Sequence, residues 1–118
     1  MDVVSYNRFI DGVKEIADRV SGFDIDSIYG IPRGGHVVAV YLSHLLNLPV
    51  VKTPRRRTLI VDDIADTGET LTPYREYKIA TLYYHKQSKV LPDVWVFEKT
   101  DDWVLFPWEN YKSTKRKL

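Results

Sequence analysis

The 118-residue sequence contains no cysteine. This absence excludes disulfide bonds, cysteine nucleophiles, thiolate metal sites and iron–sulfur clusters, and it agrees with a reducing cytoplasm, where we expect the protein to be located. No apolar run approaches the ~20 residues of a membrane-spanning helix, and the first residues lack the charged and apolar regions of a signal peptide. We therefore expect one small domain with no membrane partner and no separate cofactor domain.

Charge of either sign is nearly balanced, with 17 basic and 16 acidic residues, but it is unevenly distributed. Residues 112–118 contain four basic residues and no acidic one, which leaves the rest of the chain mildly acidic. We divide the chain into a domain at 1–111 and a basic C-terminal tail at 112–118. A solvated terminus is the favoured interpretation of this tail, and a nucleic-acid contact is the less favoured one.

The spacing of apolar residues predicts helices that alternate with strands. An amphipathic helix is predicted at 5–20 with Ser5 as its N-cap, a buried helix at 36–46, and a third helix at 67–78 that tolerates Pro73 in its first turn. This alternation is typical of an α/β fold with a mainly parallel sheet flanked by helices, in which ligands bind beyond the carboxyl ends of the strands. The predicted extended segments are 25–31, 49–52, 58–61, 79–84, 94–97 and 103–106.

The most informative segment reads LIVDDIADTGETL at 59–71 and places four acidic residues within eight positions after a buried strand. The adjacent carboxylates of Asp62 and Asp63 repel each other, so hydroxyl donors or a cation would stabilise them, as a sugar diol and Mg²⁺ would. Gly68 lets the backbone approach a ligand closely, and the start of the predicted third helix would offer amides to an anion. The alternative is that the acids lie on the surface and that Asp66 is an ordinary N-cap.

This segment resembles the phosphoribosyl pyrophosphate signature of type I phosphoribosyltransferases, in which two acids and two small or apolar residues precede D-T-G-x-T. The resemblance implies the fold of that family. It implies that Asp62 and Asp63 face the ribose 2′- and 3′-hydroxyls, directly or through Mg²⁺. Asp66 matches a carboxylate near the purine N7, which makes it a candidate general acid/base. The backbone that would cradle the 5′-phosphate is that of Asp66, Thr67, Gly68, Glu69 and Thr70.

A second loop, IPRGG at 31–35, carries a cation and two glycines after a predicted strand. A guanidinium binds phosphate oxygens through two parallel hydrogen bonds, and glycine amides are accessible to an anion. Strand–turn–helix loops with glycine are common, but beside the acidic segment this one resembles the pyrophosphate loop of the same family. The resemblance implies that Arg33, with the amides of Gly34 and Gly35, receives the leaving pyrophosphate. It also implies a cis peptide bond between Pro32 and Arg33.

A third segment, DWVLFPWE at 102–109, would by itself be an apolar edge strand with both tryptophans in the core. It resembles the purine-side segment of bacterial xanthine–guanine phosphoribosyltransferases. That resemblance implies that Trp103 stacks on the purine, that the Val104 backbone reads the edge of the base, and that Glu109 helps to hold the metal. Lys86 matches a lysine that donates to the purine 6-oxo group, and a solvated loop lysine is the alternative.

Two further features are not explained by these motifs. The three histidines, His36, His44 and His85, have no spacing typical of a metal site and are interpreted as structural or exposed. Enzymes of the family carry a long flexible loop before the acidic strand, but only residues 52–57 stand there in this chain. At ~3.3–3.6 Å per residue, six residues are too few for a lid. The arginines at 55–57 would instead contact pyrophosphate or form a solvated or subunit-facing turn.

These motifs predict a minimal purine phosphoribosyltransferase. It would transfer the phosphoribosyl group of phosphoribosyl pyrophosphate to a 6-oxopurine with Mg²⁺ as cofactor, in purine salvage, and by analogy with the family it would be a homodimer. The alternative is a regulatory module of the same fold, which senses phosphoribosyl pyrophosphate or a nucleotide and contacts nucleic acid through 112–118 and 55–57.

Overall fold

Strands and helices alternate along residues 1–109, which are the residues that the structure, a computed structural model, describes. Neither α-helix in this range is long and apolar enough to cross a membrane. The predicted basic tail at 112–118 lies outside the described residues. The elements are β1 (Asp2–Val3), α1 (Tyr6–Val20), β2 (Ser27–Gly30), α2 (Gly34–Leu46), β3 (Thr58–Ala65), a 3₁₀ turn (Thr72–Tyr74), β4 (Lys78–Tyr84), β5 (Val94–Glu98) and β6 (Val104–Leu105).

The central sheet has the order β2-β3-β4-β5, and its three strand pairs are all parallel. A second, two-stranded parallel sheet joins β1 to β6, so the short segment predicted near residue 103 pairs with the start of the chain. The strand predicted at 49–52 is reduced to one bridge between Val50 and Ile28. The predicted α/β fold with a mainly parallel sheet is confirmed.

Both faces of the central sheet are covered, which explains the continuous apolar character of β3. Leu59 and Val61 belong to the main core under α1 and α2. Ile60 points to the opposite face, because side chains alternate along a strand, and it packs in a smaller cluster with Leu71 and Ile79. The sheet is therefore fixed from both sides, and the loops at the carboxyl ends of its strands start from rigid positions.

The third helix, predicted at 67–78, is wrong. The segment runs through turns that contain only the 3₁₀ turn Thr72–Tyr74, and it is anchored by the fully buried Leu71. Gly68 has a φ of +84°, which is outside the helical range. Pro73 has no backbone N–H, so a helix in the few residues before β4 would lack one of its hydrogen-bond donors. The helix dipole expected to attract a phosphate is thus absent from this loop, and only backbone amides and hydroxyls remain.

The N-terminus of α1 follows the prediction and gives a first test. The Ser5 side chain accepts a hydrogen bond of 3.0 Å from the Arg8 amide. We expect Ser5→Ala to lower the free energy of unfolding by about 1 kcal/mol, because an amide in the first turn loses its acceptor. For a domain of this size that is about 4 °C in the midpoint of thermal unfolding. Ser5→Asp restores an acceptor and should unfold like the wild type; an equal loss in both variants would contradict the capping role.

Candidate active site

A cavity of about 620 Å³ opens at the carboxyl ends of β2 and β3. One wall is the loop after β2, and the other is the end of β3 with the turn that follows it. The segment after β6 closes the third side. The lining residues are Ile31, Pro32, Arg33, Gly34, Val37, Asp62, Asp63, Ile64, Asp66, Thr67, Gly68, Thr70, Trp108 and Glu109.

The cavity brings together most, but not all, of the residues singled out from sequence. Nine of them line it: Arg33, Gly34, Asp62, Asp63, Asp66, Thr67, Gly68, Thr70 and Glu109. Five do not, and they are Gly35, Glu69, Lys86, Trp103 and Val104. The first group comes from three separate segments of the chain, so the fold unites the acidic segment, the glycine loop and one end of the tryptophan segment.

The five residues outside the lining have different environments. Gly35 is buried in the first turn of α2, and Val104 is buried in β6, where it pairs with Asp2. The indole N–H of Trp103 is buried and has no hydrogen-bond partner within residues 1–109. Lys86 is exposed. For Lys86, Trp103 and Val104, a role toward the purine stays a prediction that rests on the family resemblance.

Trp108 lines the cavity although the sequence pattern assigned it no role there. Its ring stacks on Phe106, with ring centroids 4.9 Å apart and an angle of 7° between the planes. It also meets Phe9 edge-on at 5.2 Å, which ties it to α1. The side chain is therefore a fixed aromatic wall of the cavity.

The glycine loop approaches the acidic segment very closely. The peptide bond between Pro32 and Arg33 is cis, as the family resemblance implied. A side chain on Gly34 would overlap the carboxylate of Asp63, and a Cβ on Gly35 would lie 2.6 Å from the carbonyl oxygen of Val61. The absence of a side chain at both positions lets the loop lie against β3 with the Asp63 carboxylate beside it.

Asp62 and Asp63 belong to β3 itself, because the strand extends to Ala65 and does not end before the acids. Asp62 is buried and Asp63 is half-buried. Burial, followed by the negative charge of Asp63, raises the pKa of Asp62 to about 9. Burial also raises the pKa of Asp63, and the charge of Glu109 adds to this effect. The Asp62 carboxylate accepts a hydrogen bond of 2.8 Å from the Asp63 amide.

The carboxyl groups of Asp62, Asp63 and Glu109 form an acidic centre that lacks an ion-pair partner among residues 1–109. Within the same residues, no three His, Cys, Asp or Glu side chains are placed to hold a metal ion by themselves. Oxygen ligands of this kind suit Mg²⁺, which is usually held by one or two carboxylates with water and substrate oxygens. The donor set therefore fits a magnesium ion bound together with a polyoxygen ligand.

Asp66 has a different environment from the acidic pair. Its Oδ1 lies 2.9 Å from His85 Nδ1 and accepts a hydrogen bond of 2.9 Å from Gln87 Nε2. Partial burial raises the pKa of Asp66, but these hydrogen bonds and the charge of Lys99 outweigh burial and hold that pKa below its usual range. Asp66 is therefore ionised at neutral pH and can act as an acceptor.

The arginines of the short loop before β3 lie at the amino ends of the strands, opposite the cavity. Arg57 forms an ion pair of 2.8 Å with Asp24, and both Arg55 and Arg57 approach Asp26 at 3.6–3.7 Å. Asp24 and Asp26 precede β2, whereas the cavity lies beyond the ends of β2 and β3. The interpretation of Arg55 and Arg57 as pyrophosphate ligands is wrong, and they form a basic turn paired with acids.

Parallel strands with loops at their carboxyl ends, and a cavity between those loops, define a ligand-binding α/β domain. No protein-family model matches the chain. It is 40% identical to the xanthine-guanine phosphoribosyltransferase of Nitratidesulfovibrio vulgaris over 111 aligned positions, in an alignment that covers 70% of the chain and 68% of that protein. It is 28% identical to the enzyme of that name from Cereibacter sphaeroides over 142 aligned positions, covering 90% and 85% of the two chains.

The structural comparison agrees with these relatives. A purine phosphoribosyltransferase from Pyrococcus horikoshii superposes with a TM-score of 0.82 and 29% sequence identity, covering 92% of this chain and 94% of that one. The chain belongs to the type I phosphoribosyltransferase family, and it is an enzyme of that type.

Proposed function

We propose that the protein transfers the 5-phosphoribosyl group of phosphoribosyl pyrophosphate to a 6-oxopurine in purine salvage and releases pyrophosphate. The observation that carries the proposal is the close approach of the glycine loop to the paired carboxylates across one cavity. In such an arrangement the carboxylates can accept hydrogen bonds from a sugar diol, and the glycine loop beside them can donate hydrogen bonds to a pyrophosphate. The names of the relatives, which specify xanthine, guanine or purine, support a purine as the acceptor.

The loop after β3 is the proposed cradle for the 5′-phosphate. Within residues 1–109 the backbone amides of Thr67, Gly68 and Thr70 donate to no acceptor, whereas the Glu69 amide is bonded to Thr67 Oγ1 at 3.3 Å. Amides without a partner at an exposed turn can bind an anion, as in other backbone phosphate sites. They support the cradle even though the expected helix is missing. Asp62 and Asp63 take the ribose hydroxyls beside it.

The chemical step needs positioning and charge stabilisation more than a nucleophilic side chain. The purine N9 forms a bond to C1′ of the ribose, and the bond from C1′ to the pyrophosphate oxygen breaks with its electron pair on the leaving group. The proton carried by N7 of the purine passes to the carboxylate of Asp66. Arg33 and the amides of Gly34 and Gly35 stabilise the charge on the departing pyrophosphate.

Magnesium is part of this proposal as the cofactor. The side chains that would hold it are Asp62, Asp63 and Glu109, because carboxylate oxygens are suitable ligands for Mg²⁺. When bound, the ion supplies positive charge to the pyrophosphate and to the sugar oxygens. On the base side, Trp103, Val104 and Lys86 are proposed as purine contacts from the family resemblance, and the proposed assembly is a homodimer by the same analogy.

The test is an assay for nucleotide formation by liquid chromatography with phosphoribosyl pyrophosphate, MgCl₂ and one base at a time. Guanine, xanthine and hypoxanthine are the candidates, and adenine, which has an amino group at position 6, is the control. We expect conversion of at least one 6-oxopurine and none of adenine. Tight binding of phosphoribosyl pyrophosphate in calorimetry with no product from any base would contradict this proposal and favour the regulatory alternative.

A further inference from the structure

All the contacts that Asp66 makes with basic or amide groups converge on one of its two carboxylate oxygens. Oδ1 is 2.9 Å from His85 Nδ1, 2.9 Å from Gln87 Nε2 and 4.0 Å from Lys99 Nζ. Among the described residues Oδ2 has no hydrogen-bond donor. Asp66 lines the cavity, so one oxygen is held by the protein and the other is available to a ligand.

The partners of Asp66 are themselves held in place by the sheet. The His85 amide donates to the Ala65 carbonyl at 2.9 Å, and the Lys99 amide donates to the Tyr84 carbonyl at 2.8 Å. Only 16% of the His85 side chain and 9% of the Lys99 side chain are exposed. Neither side chain has to change conformation to contact the Asp66 carboxylate. They differ in this from exposed ion pairs, in which two mobile side chains lose conformational freedom when they meet.

We propose that His85 is a positioning residue, whose Nδ1–H fixes Oδ1 of Asp66 so that Oδ2 accepts the ring N–H of the purine. This inference rests on the proposed function and deepens it. A carboxylate accepts hydrogen bonds and cannot donate them, so His85 must carry its proton on Nδ1 when it bonds to Asp66. Its Nε2 lies on the other side of the ring, 3.7 Å from the exposed Asp101 Oδ1.

The geometry gives His85 a different role from that of its neighbour Lys86. Lys86 is exposed and outside the cavity lining, whereas His85 contacts a lining residue directly. The charge of Lys99 acts in the same direction as the His85 hydrogen bond, since both favour the ionised carboxylate. The base would therefore meet an acceptor of fixed orientation, which favours a purine that carries a proton on its five-membered ring.

Three substitutions separate the roles that His85 could have. His85→Asn keeps an N–H at the position of Nδ1, His85→Gln keeps one near the position of Nε2, and His85→Leu keeps only bulk. We expect His85→Asn to retain kcat within about threefold. His85→Gln and His85→Leu should lose about 10–100-fold in kcat with the purine, as is common when a supporting hydrogen bond is removed. The affinity for phosphoribosyl pyrophosphate should stay unchanged in all three, and His44→Asn, on the exposed side of α2, is the control.

A second measurement does not depend on activity. Carbon-13 NMR titration of the Asp66 carboxyl should show a higher pKa in His85→Leu than in the wild type, because a hydrogen bond to the ionised form is lost. Retention of kcat by His85→Gln but not by His85→Asn would overturn the proposal in favour of direct contact with the base. Wild-type kcat and an unchanged Asp66 titration in all variants would also overturn it. Failure of the wild type to convert any purine would reject the proposed function separately, while the NMR result still decides the His85–Asp66 contact.

Discussion

Asp62→Asn is expected to stabilise the metal-free protein while it weakens catalysis. Asp62 is only 7% exposed, and its pKa of about 9 means that it stays protonated in the folded protein over most of the physiological range. In the unfolded chain the same carboxyl ionises near pH 3.9. A group whose pKa is raised by folding contributes stability that is complete below the unfolded pKa and is lost as the pH rises. Between pH 4 and 9, folding of the wild type must therefore take up a proton that the asparagine variant does not need.

The size of this effect is set by burial of a carboxyl without a cationic partner. We expect Asp62→Asn to raise the free energy of unfolding by about 1–2 kcal/mol at pH 7, which is typical when a functional residue that destabilises the fold is replaced. That gain corresponds to about 4–8 °C in the unfolding midpoint. Removal of the carboxyl that we propose contacts the ribose and the metal ion should lower kcat/KM for phosphoribosyl pyrophosphate by about 10–100-fold.

Thermal unfolding in EDTA at pH 5, 7 and 9 tests the prediction. The difference in midpoint between Asp62→Asn and the wild type should increase with pH across this series. The matched control is Asp11→Asn, on the exposed side of α1, which should give a small difference that is the same at each pH. A difference between Asp62→Asn and the wild type that does not change with pH would show that Asp62 is ionised in the folded protein.

The sequence predicted the elements whose pattern is local. The apolar spacing along α1 and the apolar run of β3 are both visible within a dozen residues. The helix α1 forms as expected, whereas β3 begins at the predicted residue but continues to Ala65, beyond the predicted end at Val61. The third helix failed because Gly68 and Pro73 dominate the conformation of the segment and its apolar positions do not. Its one deeply buried side chain, Leu71, anchors a turn as well as it would anchor a helix.

The contacts that escaped prediction depend on strand register. Ala65 pairs with Tyr84, and this pairing is what brings Asp66 beside His85 although 19 positions separate them. A single histidine offers no pattern that would reveal such a partner before the sheet is known. The burial of Asp62 has the same origin, since the pairing between β3 and β4 includes Asp62 and continues past it to Ala65.

Gly34→Ala and Gly35→Ala are expected to fail in different ways, although the two glycines are adjacent. A Cβ at Gly34 would meet the carboxylate of Asp63, a side chain that can rotate away. A Cβ at Gly35 would lie 2.6 Å from the backbone carbonyl oxygen of Val61 and 3.2 Å from the backbone of Gly30. Backbone atoms of β2 and β3 cannot move without disturbing the sheet, so the first substitution displaces a functional group and the second strains the fold.

We expect Gly34→Ala to unfold within about 1 kcal/mol of the wild type but to lose about 100-fold in kcat/KM for phosphoribosyl pyrophosphate, since a shift of about 1 Å in a positioning group has that order of effect. Gly35→Ala should lose about 3 kcal/mol of stability, the upper range for overpacking. Gly22→Ala is the control, because no atom lies within 4 Å of its added Cβ, and it should change stability by less than about 0.5 kcal/mol.

Urea unfolding combined with steady-state kinetics measures both quantities. If Gly34→Ala proved the less stable of the two, or kept full activity, the close contact between the glycine loop and Asp63 would not be part of the active site. If instead the two effects separate as stated, neighbouring glycines in one loop serve different needs: one leaves room for the carboxylate that we propose binds the sugar, and the other lets α2 begin against β3.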